Sequence, residues 1–295
     1  MGLMRSPRAG MPTFKTIALT AAAMLAFAAN SLLCRAALQH RGVDPASFGS
    51  IRLVSGAIAL ALIVRMRSQP VLPDPVDRIA PLMLFAYVAC FSFAYLSLSA
   101  GTGALILFGA VQLTMFGAGL RAGERFDKVA LTGLALAVVG LVYLVSPGVT
   151  APQPLGAALM AAAGVAWGVY SLRGRRVTDP LAATARNFAW AAPMALLLNI
   201  VFMADAHANA SGIALAIASG AITSGAGYVI WYAALSHLSA MRAATVQLSV
   251  PLIAALGGAL MLTEIITPRL MGSSAAILGG IALVLFARSP TRRSA

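Results

Sequence analysis

The side chains of this chain that could bind or react inside an apolar setting are a few amides and a set of aromatic rings. Gln112 lies in the phrase VQLTMF and Gln247 in VQLSVP, 135 residues further on, and Asn30 lies in a third apolar stretch. An amide buried in hydrocarbon is costly unless bonded, so each should face the interior of a helix bundle. There it either holds two helices together or lines a central cavity. Tyr87, Phe91 and Tyr95 recur at i, i+4 and i+8, on one helical face. Trp167, Tyr170 and Ser171 form a second group, and Ser224, Tyr228, Trp231 and Tyr232 a third. Such rings stack on flat side chains and add hydroxyl or indole donors. Taken singly, each is also an ordinary packing or interfacial residue. Tyr95 and Tyr232 fall near the ends of apolar runs and read as membrane anchors. Tyr87, Phe91, Trp167 and Tyr228 fall deeper.

The charged residues narrow the chemistry. Asp44, Asp74, Asp77, Glu124, Asp127, Asp179, Asp205 and Glu264 all fall in loops or at the ends of apolar runs. His40, His207 and His237 lie near such ends too, and none pairs with an acid inside a run. An intramembrane enzyme needs a nucleophile, a base and a water path, so enzymatic function is not expected. A channel needs a polar pore ring, and only scattered amides are present. Cys34 and Cys90 are too few for a metal cluster and read as packing residues. No metal and no cofactor are expected. With no buried acid, the composition leans to a neutral or zwitterionic ligand over a permanent cation, although aromatic faces hold cations weakly. Arg52 and Arg186 lie at equivalent depths inside two runs. Snorkelling to the nearest interface is the favoured reading for both. The other is that Arg52 meets a substrate carboxylate.

These residues sit in elements of one kind. The chain has 295 residues, 60% hydrophobic and 10% charged, against roughly 25% charged for a soluble domain. No Asp, Glu, Lys or Arg occurs between Arg78 and Arg121, or between Lys128 and Arg173. Each gap accommodates two spans of about 20 residues with a turn between. The reading is an all-α membrane protein with ten transmembrane helices near 14–36, 46–66, 79–98, 102–121, 129–146, 154–172, 181–203, 212–235, 240–263 and 270–287. The runs are too long for β-barrel strands and lack their period of two. TIALTAAAMLAFAANS also reads as a secretory signal, but apolar helical sequence continues to Leu38 and favours a span. With both termini cytoplasmic, sixteen of the 21 Lys and Arg residues fall on the inner side. They are Arg5, Arg8, Lys15, Arg65, Arg67, Arg78, Arg121, Arg125, Lys128, Arg173, Arg175, Arg176, Arg242, Arg288, Arg292 and Arg293. Arg35, Arg41 and Arg269 are left outside. A net charge of +13 then reflects an anionic inner leaflet and no nucleic-acid partner.

The chain also repeats itself. Asp44-Pro45 recurs as Asp179-Pro180, Tyr95-x-x-Leu98-Ser99 as Tyr232-x-x-Leu235-Ser236, Glu124 as Glu264 and Gly140 as Gly280. The order is kept and the offset drifts from 135 to 140. Residues 1–150 and 151–295 therefore read as two five-helix copies, and an odd number of spans turns the second upside down. Inverted repeats mark secondary transporters, with the substrate site at the repeat interface near the bilayer midplane. Gln112 and Gln247 are then one position seen twice. Pro251 should kink or loosen the ninth span, and Gly225, Gly227, Gly101 and Gly103 are hinge candidates.

LSAMRAATVQLSVPLIAALGGALMLTE (238–264) resembles the ninth helix of the EamA-type drug/metabolite transporters, by its Leu-Ser-Ala start, mid-helix Pro251 and closing Glu264. DPASFGSIRLVSGAIALAL (44–62) resembles that family's second helix. The first copy departs at Met115-Phe116, where the second has Val250-Pro251. Within the family the chain looks similar to the YddG-type bacterial exporters of aromatic amino acids. The resemblance implies a secondary transporter of the bacterial inner membrane that exports phenylalanine, tryptophan, methionine and similar amino acids by alternating access. Asn30, Tyr87, Phe91, Gln112, Trp167, Tyr228 and Gln247 would bind substrate, with Pro251, Gly225 and Gly227 as hinges. The other reading is a broad-specificity metabolite or drug exporter of the same fold. The expected partners are the small-molecule substrate and the lipid bilayer, with the chain monomeric. Proton coupling through the peripheral Glu124, Glu264 or His237 and facilitated diffusion both stay open.

Overall fold

Asp44 and Asp179 each precede a proline, and each opens a helix in the same way. The Asp44 carboxylate accepts the Ser47 N–H at 2.9 Å and the Asp179 carboxylate accepts the Ala182 N–H at 3.1 Å. Proline then occupies the first helical position, where its missing N–H costs nothing. Side-chain caps from Ser99, Asp127, Asn209 and Thr267 start four further helices. The computed structural model describes residues 14–67, 77–123, 126–174, 177–235, 237–238 and 240–287. Arg5, Arg8, Asp74, Glu124, Arg125, Arg175, Arg176, Ser236, Arg288, Arg292 and Arg293 lie outside the described residues, as does the Arg242 side chain.

The helices are α1 (Phe14–Gln39), α2 (Pro45–Met66), α3 (Ile79–Ala94), α4 (Ala100–Arg121), α5 (Lys128–Val145), α6 (Pro154–Gly174) and α7 (Pro180–Val201). After a short 3₁₀ turn (Met203–Asp205) come α8 (Ala210–Ile217), a π-helical segment (Ala218–Ala226) and α9 (Gly227–Leu235), in one continuous rod. Then follow α10 (Ala240–Gln247), α11 (Ser249–Met261) and α12 (Pro268–Phe286). Among the described residues there is no strand, only an isolated bridge between Val43 and Ala208.

Seven of these elements are long and apolar enough to cross a membrane: α1, α2, α4, α5, α6, the rod Ala210–Ala234 and α12. α3 and Thr245–Met261 are apolar but shorter. α7 has 22 residues but carries Arg186, Asn187 and Asn199. Val139, Leu197, Leu256 and Leu260 are exposed on the outside. An apolar exterior of this extent is solvated by lipid, so this is a multi-pass membrane protein.

The helices pack in a consistent pattern. α2 lies on α7, α4 on α11 and α5 on α12, while α3 lies on α6 and α1 on the π segment and α9. Small residues let backbones approach. A Cβ at Gly133 of α5 would meet the Gly280 carbonyl of α12 at 2.5 Å. A Cβ at Gly220 would collide with the Arg52 carbonyl and the Ser55 hydroxyl, so the π segment lies directly on α2. The ninth span is interrupted at Leu248, between α10 and α11. The cause is Pro251. It has no N–H for the Gln247 carbonyl, and its ring crowds that turn.

Candidate functional site

At the centre of the bundle is a cavity of about 30 Å³. Phe27, Asn30 and Ser31 of α1, Tyr87 and Phe91 of α3 and Leu107 and Phe108 of α4 line it. Trp167 of α6, Thr223 and Ser224 of the π segment, Tyr228 of α9 and Gln247 of α10 complete the wall. Trp167 is the hub of the rings. It lies 5.0 Å from Tyr87 and stacks on Tyr228 at 5.6 Å and on Tyr170 at 5.3 Å, centroid to centroid. The i, i+4, i+8 series of α3 runs in contact, with Tyr87–Phe91 at 5.3 Å and Phe91–Tyr95 at 4.8 Å. Tyr95 has no exposed surface and packs over Gly103 of α4. It is an interior residue and not the interfacial anchor that its place near a span end suggests.

A polar chain crosses this wall. Ser219 donates to Asn30 Oδ1 at 2.6 Å, and the Thr223 hydroxyl stands 3.3 Å from the same oxygen. Asn30 Nδ2 donates to the Tyr87 hydroxyl at 3.3 Å, and Arg52 Nη2 donates to that hydroxyl at 3.1 Å. Arg52 Nε donates to Ser224 Oγ at 3.3 Å. The π turn sets this arrangement, because its extra residue per turn aims Ser219, Thr223 and Ser224 at α1 and α2 together. π turns of this kind concentrate at functional sites.

Arg52 departs most from the sequence reading. It stands seven residues into α2, about 10 Å along the helix, yet it is 1% exposed and does not snorkel. Its guanidinium carbon lies 5.1 Å from the ring centroids of both Tyr87 and Phe91. Among the described residues Nη1 has no hydrogen-bond partner. A buried cation costs several kcal/mol unless paired, and each of the two ring faces returns about 2 kcal/mol or more of that in a desolvated setting. Arg186 of α7, at the matching depth, stays half-exposed.

Of the residues expected to bind substrate, Asn30, Tyr87, Phe91, Trp167, Tyr228 and Gln247 meet at this cavity. Gln112 does not. It is half-buried on the unbroken α4 and makes no side-chain hydrogen bond among the described residues. Gln247 sits at the break above Pro251, and its Nε2 donates to the Ala243 carbonyl at 3.3 Å. Gly225 lies inside the π segment and Gly227 follows it. Phe27, Leu107, Phe108 and Thr223 were not singled out from sequence. Phe27 stands one helical turn before Asn30, which is the signal that could have found it.

Both ends of the bundle are tied. Where α2 and α6 finish and α3 and α7 begin, Arg67 pairs with Asp179 and Arg173 with Asp77. The Arg173 guanidinium, together with the Ala80 and Ile79 N–H groups, holds the Asp77 carboxyl below its ordinary value of about 3.9. The pair is therefore intact at neutral pH, and its contribution is lost only as pH falls through that lowered value. At the opposite end, Thr263 adopts a left-handed φ of 55°, which turns Glu264 back under α4. The Glu264 carboxylate accepts Arg35 Nε at 3.1 Å and the Ala100 N–H at 2.8 Å. Negative charge at this helix N-terminus is favourable. At the start of α2, Asp44 N–H donates to the His207 carbonyl at 2.9 Å, and His207 N–H donates to the Asp44 carboxylate at 3.0 Å. Burial opposes ionisation of Asp44, but the Ser47 and His207 hydrogen bonds outweigh it and hold its carboxyl below the usual range.

Removing one tie should open that end. Cys34 is fully buried next to Arg35. In a Cys90→Ser background, Glu264→Gln should raise the rate of maleimide labelling of Cys34 severalfold in purified protein. An unchanged rate would mean that the Arg35–Glu264 contact does not hold this end closed.

A lipid-solvated helical bundle, tied at both ends by ion pairs around a polar and aromatic cavity, is the architecture of a membrane transporter. The chain belongs to the EamA-like transporter family, whose family model matches residues 154–286. It is 50% identical over 278 residues to an uncharacterized protein of Pseudomonas aeruginosa, covering 94% of this chain and 97% of that one. It is 22% identical over 259 residues to an uncharacterized transporter of Archaeoglobus fulgidus, covering 83% and 90%. A solved crystal structure shares the fold at 20% identity, with a TM-score of 0.66 over 93% of this chain and 99% of the other.

Proposed function

We propose that the protein is a secondary transporter that exports aromatic and large hydrophobic amino acids across the bacterial inner membrane by alternating access. The observation that carries this reading is the cavity wall, where the Trp167 cluster of rings meets the amides Asn30 and Gln247. Rings stack on an apolar or aromatic side chain, and the amides serve the polar end. No acidic side chain lines the cavity, which suits a zwitterion. A dry cavity that accepts benzene is about 150 Å³, so a space of about 30 Å³ belongs to a closed state. Loading then requires the rings to part and one end to release its ion pairs.

The inverted repeat, 1–150 against 151–295, belongs to the same reading. It is supported by three helices that pair with their counterparts, α2 with α7, α4 with α11 and α5 with α12, and by the crossed pairing of α3 with α6 and of α1 with the rod. The Arg67–Asp179 and Arg173–Asp77 pairs join the two halves on the side assigned to the cytoplasm, and Arg35–Glu264 joins them on the other. Ten spans with cytoplasmic termini are part of the same proposal.

The test is uptake of labelled phenylalanine into liposomes holding the purified protein, with and without an imposed pH gradient. Saturable uptake, competed by tryptophan and methionine but not by aspartate, is expected. Competition that tracks hydrophobicity alone would replace this reading with a broad metabolite exporter.

A further inference from the structure

We propose that Arg52 is an internal anion receptor that binds the carboxylate of the transported molecule. The inference rests on the transport reading of the cavity and names the chemical group its substrate must carry. Three observations converge on it. The guanidinium is buried with Nη1 unpartnered. Its other contacts, Tyr87, Phe91 and Ser224, are themselves cavity-lining residues, so it stands directly behind the wall. The Tyr87 hydroxyl accepts hydrogen bonds from both Asn30 and Arg52, and among the described residues no acceptor takes its own proton. Two neighbouring donors, one cationic and one neutral, are therefore without an acceptor, and a carboxylate has the two oxygens to receive both.

Among the described residues no carboxylate competes for Arg52. Asp77, Asp179 and Glu264 are paired with Arg173, Arg67 and Arg35 at the two ends. Asp44 and Asp127 cap α2 and α5, and Asp205 lies in the turn after α7. Cation–π contacts with Tyr87 and Phe91 hold the guanidinium in place until the anion arrives. When those rings part to admit a substrate, the same movement uncovers Nη1. A guanidinium serves this purpose better than an ammonium, because its fork keeps Ser224 and Tyr87 while it offers a further N–H.

The test is binding to the purified full-length protein, read by thermal shift or by quenching of tryptophan fluorescence. The probes are phenylalanine, 3-phenylpropionate (no amine) and phenethylamine (no carboxylate). In the wild type, both carboxylates should bind at least tenfold more tightly than phenethylamine. Arg52→Gln should weaken carboxylate binding at least tenfold and erase that preference, and Arg52→Lys should keep part of it. Phenethylamine binding as tightly as 3-phenylpropionate to the wild type, a comparison that needs no variant, would overturn the inference. So would binding of neither carboxylate, or carboxylate binding unchanged in Arg52→Gln. Equal binding of phenylalanine and phenethylamine, with phenylalanine still transported, removes the anion receptor and leaves the amino-acid reading intact. Arg52-dependent binding of 3-phenylpropionate without phenylalanine binding supports the receptor and removes the amino-acid reading.

Discussion

Trp167→Ala should lower phenylalanine uptake by roughly ten- to several-hundredfold, while Trp190→Ala leaves it within about twofold. Trp167 contacts Tyr87, Tyr170 and Tyr228, all within 5.6 Å of its ring centroid. Each aromatic pair contributes about 0.5–1.5 kcal/mol beyond area burial, so losing two or three amounts to about 1–4.5 kcal/mol. A tenfold change in affinity corresponds to about 1.4 kcal/mol. The truncation also replaces a stacking surface with empty space at the place where a substrate ring would lie. Trp190 is 61% exposed on the outer face of α7, touches none of these rings and serves as the control. Thermal unfolding of the detergent-solubilised protein should drop clearly for Trp167→Ala and little for Trp190→Ala. That comparison does not depend on the identity of the substrate. Normal uptake by Trp167→Ala would remove this ring cluster from the transport path.

The second large effect is a contrast between two identical substitutions. Gly220→Ala should destabilise the protein and weaken the cavity, whereas Gly279→Ala should leave it as stable or slightly more so. A methyl group at Gly220 collides with the Arg52 carbonyl and the Ser55 hydroxyl. The obstacle is backbone, so the π segment has to move off α2. Overpacking of this kind costs about 1–3 kcal/mol. The displacement also withdraws Ser224 from Arg52 and Ser219 from Asn30. At Gly279 of α12 an added Cβ meets nothing within 4 Å. There the exchange gains up to about 1 kcal/mol of helix propensity. Thermal unfolding of both variants, followed by uptake, is the measurement. Equal melting temperatures would show that α2 and the π segment are not in close backbone contact.

How much of this was legible in the residues depends on what the membrane does to sequence signals. The charge-free stretch from Ile79 to Leu120 is enough to require lipid as solvent, because no soluble core hides that much apolar surface. The spacing of Tyr87, Phe91 and Tyr95 placed three rings on one face, and they run in contact along α3. Pro251 implied a break, and the helix is interrupted one turn before it, at Leu248. These are local effects of hydropathy, helical period and backbone chemistry, and a sequence carries them directly.

Which way a side chain faces was settled only by the tertiary structure. In water an amphipathic pattern separates the buried face from the wet one. In a bilayer both faces are apolar, so that contrast disappears. Gln112 and Gln247 are the same in sequence context, yet only Gln247 reaches the cavity, because Pro251 opens its helix and α4 has no such break. Arg52 and Arg186 lie at equal depth, yet Arg52 is enclosed by Tyr87, Phe91 and Ser224 while Arg186 remains half-exposed. The π segment that brings Ser219, Thr223 and Ser224 inward has no signature among its small residues. Its seat depends on Gly220, which lets the chain press onto α2, a contact between residues that lie far apart in the sequence.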